Sequence, residues 1–228
     1  MSIFMFALLR NARNRTSIIV VCIFPLILVF IPPLWTGEWK QGFYLMALQI
    51  MIGSFILARG IIDDRLDKTI YRILSAPVSM YNYLVQNLLA YLFPLLVQII
   101  VIVTIGAILY DWHLSFSLAL ILCYTIFAIA SVSMSFAWSC LFQNKYSNFS
   151  AFVILATFIG FISGFWLPVF LLPDHLRFLG MLFPAYWVSS GIYTLGNYGL
   201  SSEYWLSLVA MLLFSAAYLL FGGKRRII

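Results

Sequence analysis

Charged residues are scarce in this chain of 228 residues, because Asp, Glu, Lys and Arg together make up only 9% of the sequence. Hydrophobic residues make up 64%, and the mean hydropathy is +1.04. A soluble domain of this length could not hide so much apolar surface from water. The composition therefore excludes a soluble globular protein and predicts an integral membrane protein.

Two kinds of chemical site are also missing from the sequence. The three cysteines all fall inside long apolar stretches, which fits neither a disulfide framework nor a metal site. No GxxxxGK[ST] motif occurs, so the chain lacks the phosphate-binding loop of many ATPases. We therefore expect no cofactor in this chain.

Six stretches contain no Asp, Glu, Lys or Arg and have about the length of a membrane crossing, for which roughly 20 helical residues suffice. They lie near Thr16 to Trp35, Gly42 to Ala58, Leu88 to Tyr110, Leu114 to Phe142, Phe149 to Leu172 and Tyr204 to Phe221. The sequence thus predicts an all-α membrane protein with six transmembrane helices in one domain, residues 1–228.

Positive charge fixes the predicted orientation. With the amino terminus inside, eleven of the 13 Lys and Arg residues face the cytoplasm, and only Lys40 and Arg177 face outward. A seventh crossing would reverse this for the basic carboxyl terminus, so we expect residues 165–200 to form re-entrant, non-spanning helices outside. Residues 1–15, in which apolar positions precede the arginines, predict an interfacial helix rather than a cleavable signal.

The predicted cytoplasmic loop, residues 59–82, has the pattern of a short amphipathic helix. Its apolar residues recur at helical spacing: Ile62, Leu66, Ile70, Ile73 and Leu74. From this periodicity alone, a helix that docks a partner and a helix that only covers the surface are equally compatible.

Asp63, Asp64 and Asp67 in this loop spell DDxxD, a spacing that can hold magnesium on a diphosphate, as in prenyltransferases. Such membrane enzymes use a second Asp-rich motif, whereas the other acidic residues of this chain are predicted on the opposite side. We therefore favour a solvated helix face over a metal site.

Two segments resemble the ABC-2 type exporter permeases. Ala58 to Met80, ARGIIDDRLDKTIYRILSAPVSM, is similar to the cytoplasmic loop of that family, with Leu74 one residue out of its usual register before Pro77. SGFWLPVFLLP from Ser163 and FPAYWVSSG from Phe183 resemble the family's outer signature after the fifth span.

The resemblance implies a transport subunit of a bacterial cell membrane, with both termini in the cytoplasm. Two such permeases, identical or different, would form a pore that exports an amphipathic drug, antibiotic, peptide or lipid-like molecule. Two copies of a separate ABC ATP-binding subunit would bind ATP and Mg and supply the energy. The chain itself would be no enzyme, would be surrounded by lipid and would bind no nucleic acid.

The resemblance also implies roles for particular residues. A coupling helix would contact the ATP-binding subunit through Ile62, Arg65, Leu66, Lys68, Ile70, Arg72, Ile73 and Leu74. An outer hydrophobic gate would consist of Phe165, Trp166, Leu167 and Phe170, for which lipid anchoring is the alternative use.

Small and polar residues inside the predicted spans suggest further roles. Ala156, Gly160 and Gly164 form small-xxx-small steps, which suit either packing within one subunit or a dimer interface. Gln49 and Gln98 are long polar side chains near span centres that either touch cargo or, as we favour, hydrogen-bond a neighbouring helix. Ion-driven transport usually needs ionisable groups at that depth, and none occurs. An Asp-rich intramembrane enzyme and a non-transporting scaffold remain the alternative functions.

Overall fold

The computed structural model describes residues 3–66, 80–141, 144–166 and 171–224. Within these ranges the chain is helical and contains no strand. The elements in chain order are α1 (Ile3–Arg13), α2 (Arg15–Ile18), a π-helical turn (Ile19–Ile23), α3 (Phe24–Val29), α4 (Pro32–Thr36), α5 (Gln41–Leu66), α6 (Met80–Tyr110), α7 (Leu114–Ser139), α8 (Lys145–Ile162), α9 (Asp174–Gly180), α10 (Pro184–Tyr198) and α11 (Ser202–Lys224).

Four helices of the described chain are long and apolar enough to cross a membrane. The crossing segments are Gln41–Gly60 in α5, Val85–Tyr110 in α6, Leu114–Ser139 in α7 and Ser202–Gly222 in α11. A fifth crossing results if α1 and the segment Arg15–Val29, which meet at 80°, count as one broken span. The protein is therefore a multi-pass, all-helical membrane protein, and the full six-span arrangement stays a prediction.

The predicted first span, Thr16 to Trp35, is divided into short pieces. Asn14 has an extended backbone and its side chain accepts a hydrogen bond from the Thr16 amide, at 3.0 Å, so it ends α1 and starts a new helix. The π-helical turn lies just before Pro25, whose ring cannot fit a regular helix interior. Two further prolines begin α4.

The predicted fifth span also ends earlier than its apolar pattern. Helix α8 stops at Ile162 because Gly164 takes a left-handed backbone, with φ 86°, and the Phe165 amide donates back to the Gly160 carbonyl at 2.9 Å. Beyond it, α9 and α10 occupy the described part of the segment expected to be re-entrant. With 15 residues, α10 is about 22 Å long, which is shorter than a bilayer core.

Helices α5 and α7 form the centre of the bundle. In the apolar window of α5, 83% of the residues are buried, compared with 28% in α11. Helix α7 packs against α5, α6, α10 and α11. Helix α5 is therefore enclosed by its neighbours along most of its apolar length, and its last turn leads directly into residues 67–79, which belong to the predicted coupling segment.

Candidate functional site

The predicted coupling residues lie only partly within the described chain. The backbone of Ile62, Arg65 and Leu66 forms the last turns of α5, so the helix continues into the segment that the sequence assigned to a loop. The remaining five positions lie outside the described residues: Lys68, Ile70, Arg72, Ile73 and Leu74. Their contact with an ATP-binding subunit stays a prediction.

A polar cluster joins α1 to both helices that flank this segment. The Arg10 guanidinium donates to Asp64 Oδ1 at 2.8 Å and to the Tyr91 hydroxyl at 3.1 Å. The Tyr83 hydroxyl donates to Asp64 Oδ2 at 2.7 Å, and the Tyr91 hydroxyl donates to Asn87 Oδ1 at 3.0 Å. These five residues, here called the Arg10 cluster, connect α1, the end of α5 and the start of α6.

Local sequence explains how the Arg10 cluster forms. Gly60 lies one turn before Asp64, and a Cβ at Gly60 would fall on the Arg10 guanidinium, so any larger residue there would require that group to move. On α6, Tyr83, Asn87 and Tyr91 are spaced by four residues and share one face of the helix. The Asn87 amide also donates to the Tyr83 carbonyl at 2.9 Å.

The cluster is a partly buried, charge-paired site. The side chains of Arg10 and Asp64 are 25% and 13% exposed, so water reaches them only in part. Burial raises the pKa of Tyr83, and the adjacent Asp64 carboxylate raises it further. Tyr83 therefore stays protonated near neutral pH and donates its hydrogen bond to Asp64.

Asp64 is thus less exposed to solvent than expected for the solvated helix face that we favoured for the DDxxD motif. Both of its carboxylate oxygens are bonded within the cluster. Asp67, the third member of that motif, lies outside the described residues. Among the residues that the structure describes, no group of three or more His, Cys, Asp or Glu side chains is placed to hold a metal ion.

Further contacts surround the end of α5, next to the Arg10 cluster. The Asn11 amide donates to the Leu57 carbonyl at 3.5 Å, and the Phe4 amide donates to Gln86 Oε1 at 3.2 Å. Arg59 lies over the Phe149 ring of α8, with its guanidinium carbon 3.9 Å from the ring centroid. Helices α1, α6 and α8 therefore all contact the last turns of α5.

Gln49 and Gln98 meet in the interior, between α5 and α6. They are 2% and 6% exposed, and the Gln98 amide donates to the Gln49 side-chain oxygen. The Gln49 amide donates to the Val20 carbonyl in the π-helical turn at 2.7 Å. This geometry supports helix-to-helix hydrogen bonding, and a contact with cargo stays a hypothesis.

The two predicted outer-gate residues that the structure describes differ in their exposure. Phe165 is buried and packs edge-on against Phe127 at 6.4 Å between ring centroids, whereas Trp166 is 44% exposed. Leu167 and Phe170 lie outside the described residues. A gating role for these four stays a prediction.

The small residues of α8 make contacts within this chain. A Cβ at Gly160 would lie 3.3 Å from Phe165 and 3.5 Å from Leu48 of α5, and Ala156 is buried. Gly164 provides the left-handed turn that ends α8. Packing within one subunit accounts for Gly160, while a role at a dimer interface stays untested.

Comparison of the sequence with models of known protein families gives a match. A model of the family described as ABC-2 family transporter protein matches residues 41–224. The chain belongs to the ABC-2 transporter family. No protein with a curated description matches it.

Membership in the family makes this ABC-2 permease the membrane component of an ABC transporter and implies association with an ABC ATP-binding subunit. The matched residues include α5 to α11 and therefore Asp64 and Tyr83, whereas Arg10 lies before the match.

Sequence reasoning missed the Arg10 cluster, although the tyrosine and asparagine spacing at the start of α6 was a visible signal for a polar helix face.

Proposed function

We propose that this ABC-2 permease is half of an ATP-driven exporter in the bacterial inner membrane, with both termini in the cytoplasm. A separate ATP-binding subunit, present in two copies, binds ATP and Mg and acts on residues 59–82. The permease pairs with an identical or similar subunit and moves an amphipathic drug, antibiotic, peptide or lipid-like molecule outward.

The observation that carries this proposal is the Arg10 cluster. Asp64 lies two residues before α5 ends, and Tyr83 lies three residues after α6 begins, so the cluster joins the two ends of the segment expected to receive the ATP-binding subunit. A force on that segment therefore reaches α5, α6 and α1 together. Helix α5 carries it into the bundle centre, where Gln49 and Gln98 bond α5 to α6.

The polar chemistry of the bundle centre favours this function over ion-driven transport. The middle of the described spans holds the uncharged Gln49 and Gln98 pair and no Asp, Glu, Lys or Arg. A carboxylate that binds and releases a proton or cation is the usual device of ion-driven carriers. An external source of work, such as ATP hydrolysis in a partner, fits the bundle better.

The test is reconstitution of the permease with its ATP-binding subunit in liposomes. We expect Arg10→Gln to abolish transport while membrane insertion persists, because α1 would no longer move with α5 and α6. Arg13→Gln is the matched control, since Arg13 also lies on α1 but is exposed. Transport by Arg10→Gln at the wild-type rate would contradict the proposed coupling route.

A further inference from the structure

A recess with aromatic walls lies at the end of the bundle opposite the Arg10 cluster. Two cavities, of about 270 and 370 Å³, share the lining residues Lys40, Phe43, Phe116 and Gly196. This outer basin lies between the α4–α5 connection, the α6–α7 connection and α10. About 36 Å of helix separates Lys40 from Asp64, so the basin and the Arg10 cluster lie near opposite faces of a bilayer.

One wall of the outer basin is lined by four packed aromatic residues, Trp35, Phe43, Trp112 and Phe116, and Tyr110 stacks against Trp35 and Trp112. The centroids of the Trp35 and Phe43 rings are 5.1 Å apart, and those of Phe43 and Trp112 are 5.0 Å apart. Trp35 donates to the Leu28 carbonyl at 2.9 Å, and Tyr110 donates to the Val29 carbonyl at 2.7 Å. The wall is therefore held by hydrogen bonds as well as by ring contacts.

Glycine allows two of these rings to approach the helices closely. A Cβ at Gly42 would lie 2.6 Å from the Trp35 ring, and a Cβ at Gly106 would lie 2.6 Å from the Trp112 ring. At Gly196, by contrast, a Cβ would meet nothing within 4 Å. The basin is thus rigid on its aromatic side and open beside Gly196.

Charges of both signs line the outer basin. Glu38, Lys40 and Asp111 are exposed, and no ion pair joins them to any residue that the structure describes. Lys40 and Asp111 have left-handed backbones, with φ 44° and 52°, which are uncommon for residues other than glycine. Two carboxylates and one ammonium group give the lining a net charge of minus one, excluding His113.

We infer that the outer basin binds the headgroup of a zwitterionic glycerophospholipid. The Lys40 ammonium would hold the lipid phosphate, and the Glu38 and Asp111 carboxylates would hold the lipid amine. The aromatic wall suits the boundary between headgroups and acyl chains, where aromatic side chains concentrate in membrane proteins. An anionic lipid such as phosphatidylglycerol has the same phosphate but no amine, so the two carboxylates would face it without a cation to bind. This inference does not depend on the proposed export function.

Native mass spectrometry of the full-length permease in detergent tests the assignment. The protein is incubated with equal amounts of phosphatidylethanolamine and phosphatidylglycerol, and the retained lipid is identified. We expect one phosphatidylethanolamine per chain, retained at least tenfold over phosphatidylglycerol. Gly196→Leu, which fills the open space, should reduce this retention at least tenfold.

A second experiment uses variants that change the charge at Lys40 or Asp111 and keep its left-handed backbone conformation. Lys40→Asn and Asp111→Asn should each reduce phosphatidylethanolamine retention several-fold, and asparagine tolerates the left-handed backbone at both positions. Asp111→Asn removes only the charge, whereas Lys40→Asn removes the ammonium group together with its long side chain. Glu203→Gln is the control, since Glu203 is exposed at the start of α11 and does not line the basin. Unchanged lipid-free melting temperatures would show that the variants are folded.

Three results would overturn the inference. The first is equal retention of both lipids by the wild type, and the second is wild-type retention by both charge variants. The third is full displacement of the lipid by millimolar glycerophosphoethanolamine, which would make a soluble zwitterion the ligand. Retained lipid in the presence of that competitor supports the membrane source.

Discussion

The ion pair between Arg10 and Asp64 permits a double-mutant cycle. Arg10→Gln removes two charge-assisted hydrogen bonds, to Asp64 and to Tyr91. Such bonds are worth about 1.5–3 kcal/mol each when buried. Because the Arg10 side chain is 25% exposed, solvent screening reduces this value, and we expect a total loss of about 2 kcal/mol.

Asp64→Asn should cost a similar amount, because Asp64 also accepts from Tyr83 at 2.7 Å. The double variant should cost less than the sum, with a coupling energy of about 1 kcal/mol, since the two residues share one contact. For a chain of this size, about 2 kcal/mol corresponds to a fall in melting temperature of roughly 4–8 °C.

The assay is thermal unfolding of the purified permease, followed by tryptophan fluorescence at fixed detergent concentration. Arg13→Gln, on the exposed face of α1, should change the melting temperature by less than about 2 °C. Strictly additive effects of Arg10→Gln and Asp64→Asn would refute the assigned contact. The same conclusion would follow if Arg10→Gln melted like the Arg13 control.

Three further predictions follow from the packing. Gly60→Ala keeps both charges but places a methyl group where the Arg10 guanidinium lies, so that group must move. The ATPase activity of the partner subunit should then lose its dependence on cargo, while expression of the permease is unchanged. ATPase activity that still depends on cargo as in the wild type would contradict this. Gln49→Leu and Gln98→Leu should each lower stability by about 1–2 kcal/mol, because the remaining glutamine loses its hydrogen bond across the pair. The double variant should recover much of that loss, and a melting temperature below both singles would argue against the pair. Phe165→Ala should lower stability by about 3 kcal/mol, because its buried ring leaves a cavity, and proteoliposome dye leakage would show whether it also closes the pathway.

The sequence predicted the long crossings well because a charge-free apolar run has few other uses in a protein. The segments of α5, α6, α7 and α11 lie close to the predicted spans. The ends of the irregular elements were harder to predict. The apolar pattern continues past Ile162, and only the backbone of Gly164 shows that α8 stops there. Likewise, the cap at Asn14 is a single hydrogen bond that hydropathy does not detect.

The candidate site was predictable only in part. Helical periodicity predicted an amphipathic helix within residues 59–82, much of which lies outside the described residues, and it placed Asp64 away from the apolar face. Periodicity carries no information about partners far apart in sequence, and Arg10 and Asp64 are 54 residues apart. Arg10 in α1 and Asp64 in α5 form a site only when the bundle brings their helices together.

Photocrosslinking from position 70 tests the central claim most directly. A photoreactive residue replaces Ile70 in the full chain, co-expressed with the ATP-binding subunit, and replaces Trp39 as the control at the opposite end. The account predicts an adduct between the ATP-binding subunit and position 70, and none from position 39. Equal adducts from both positions, or no adduct from position 70 in a transporting complex, would contradict it.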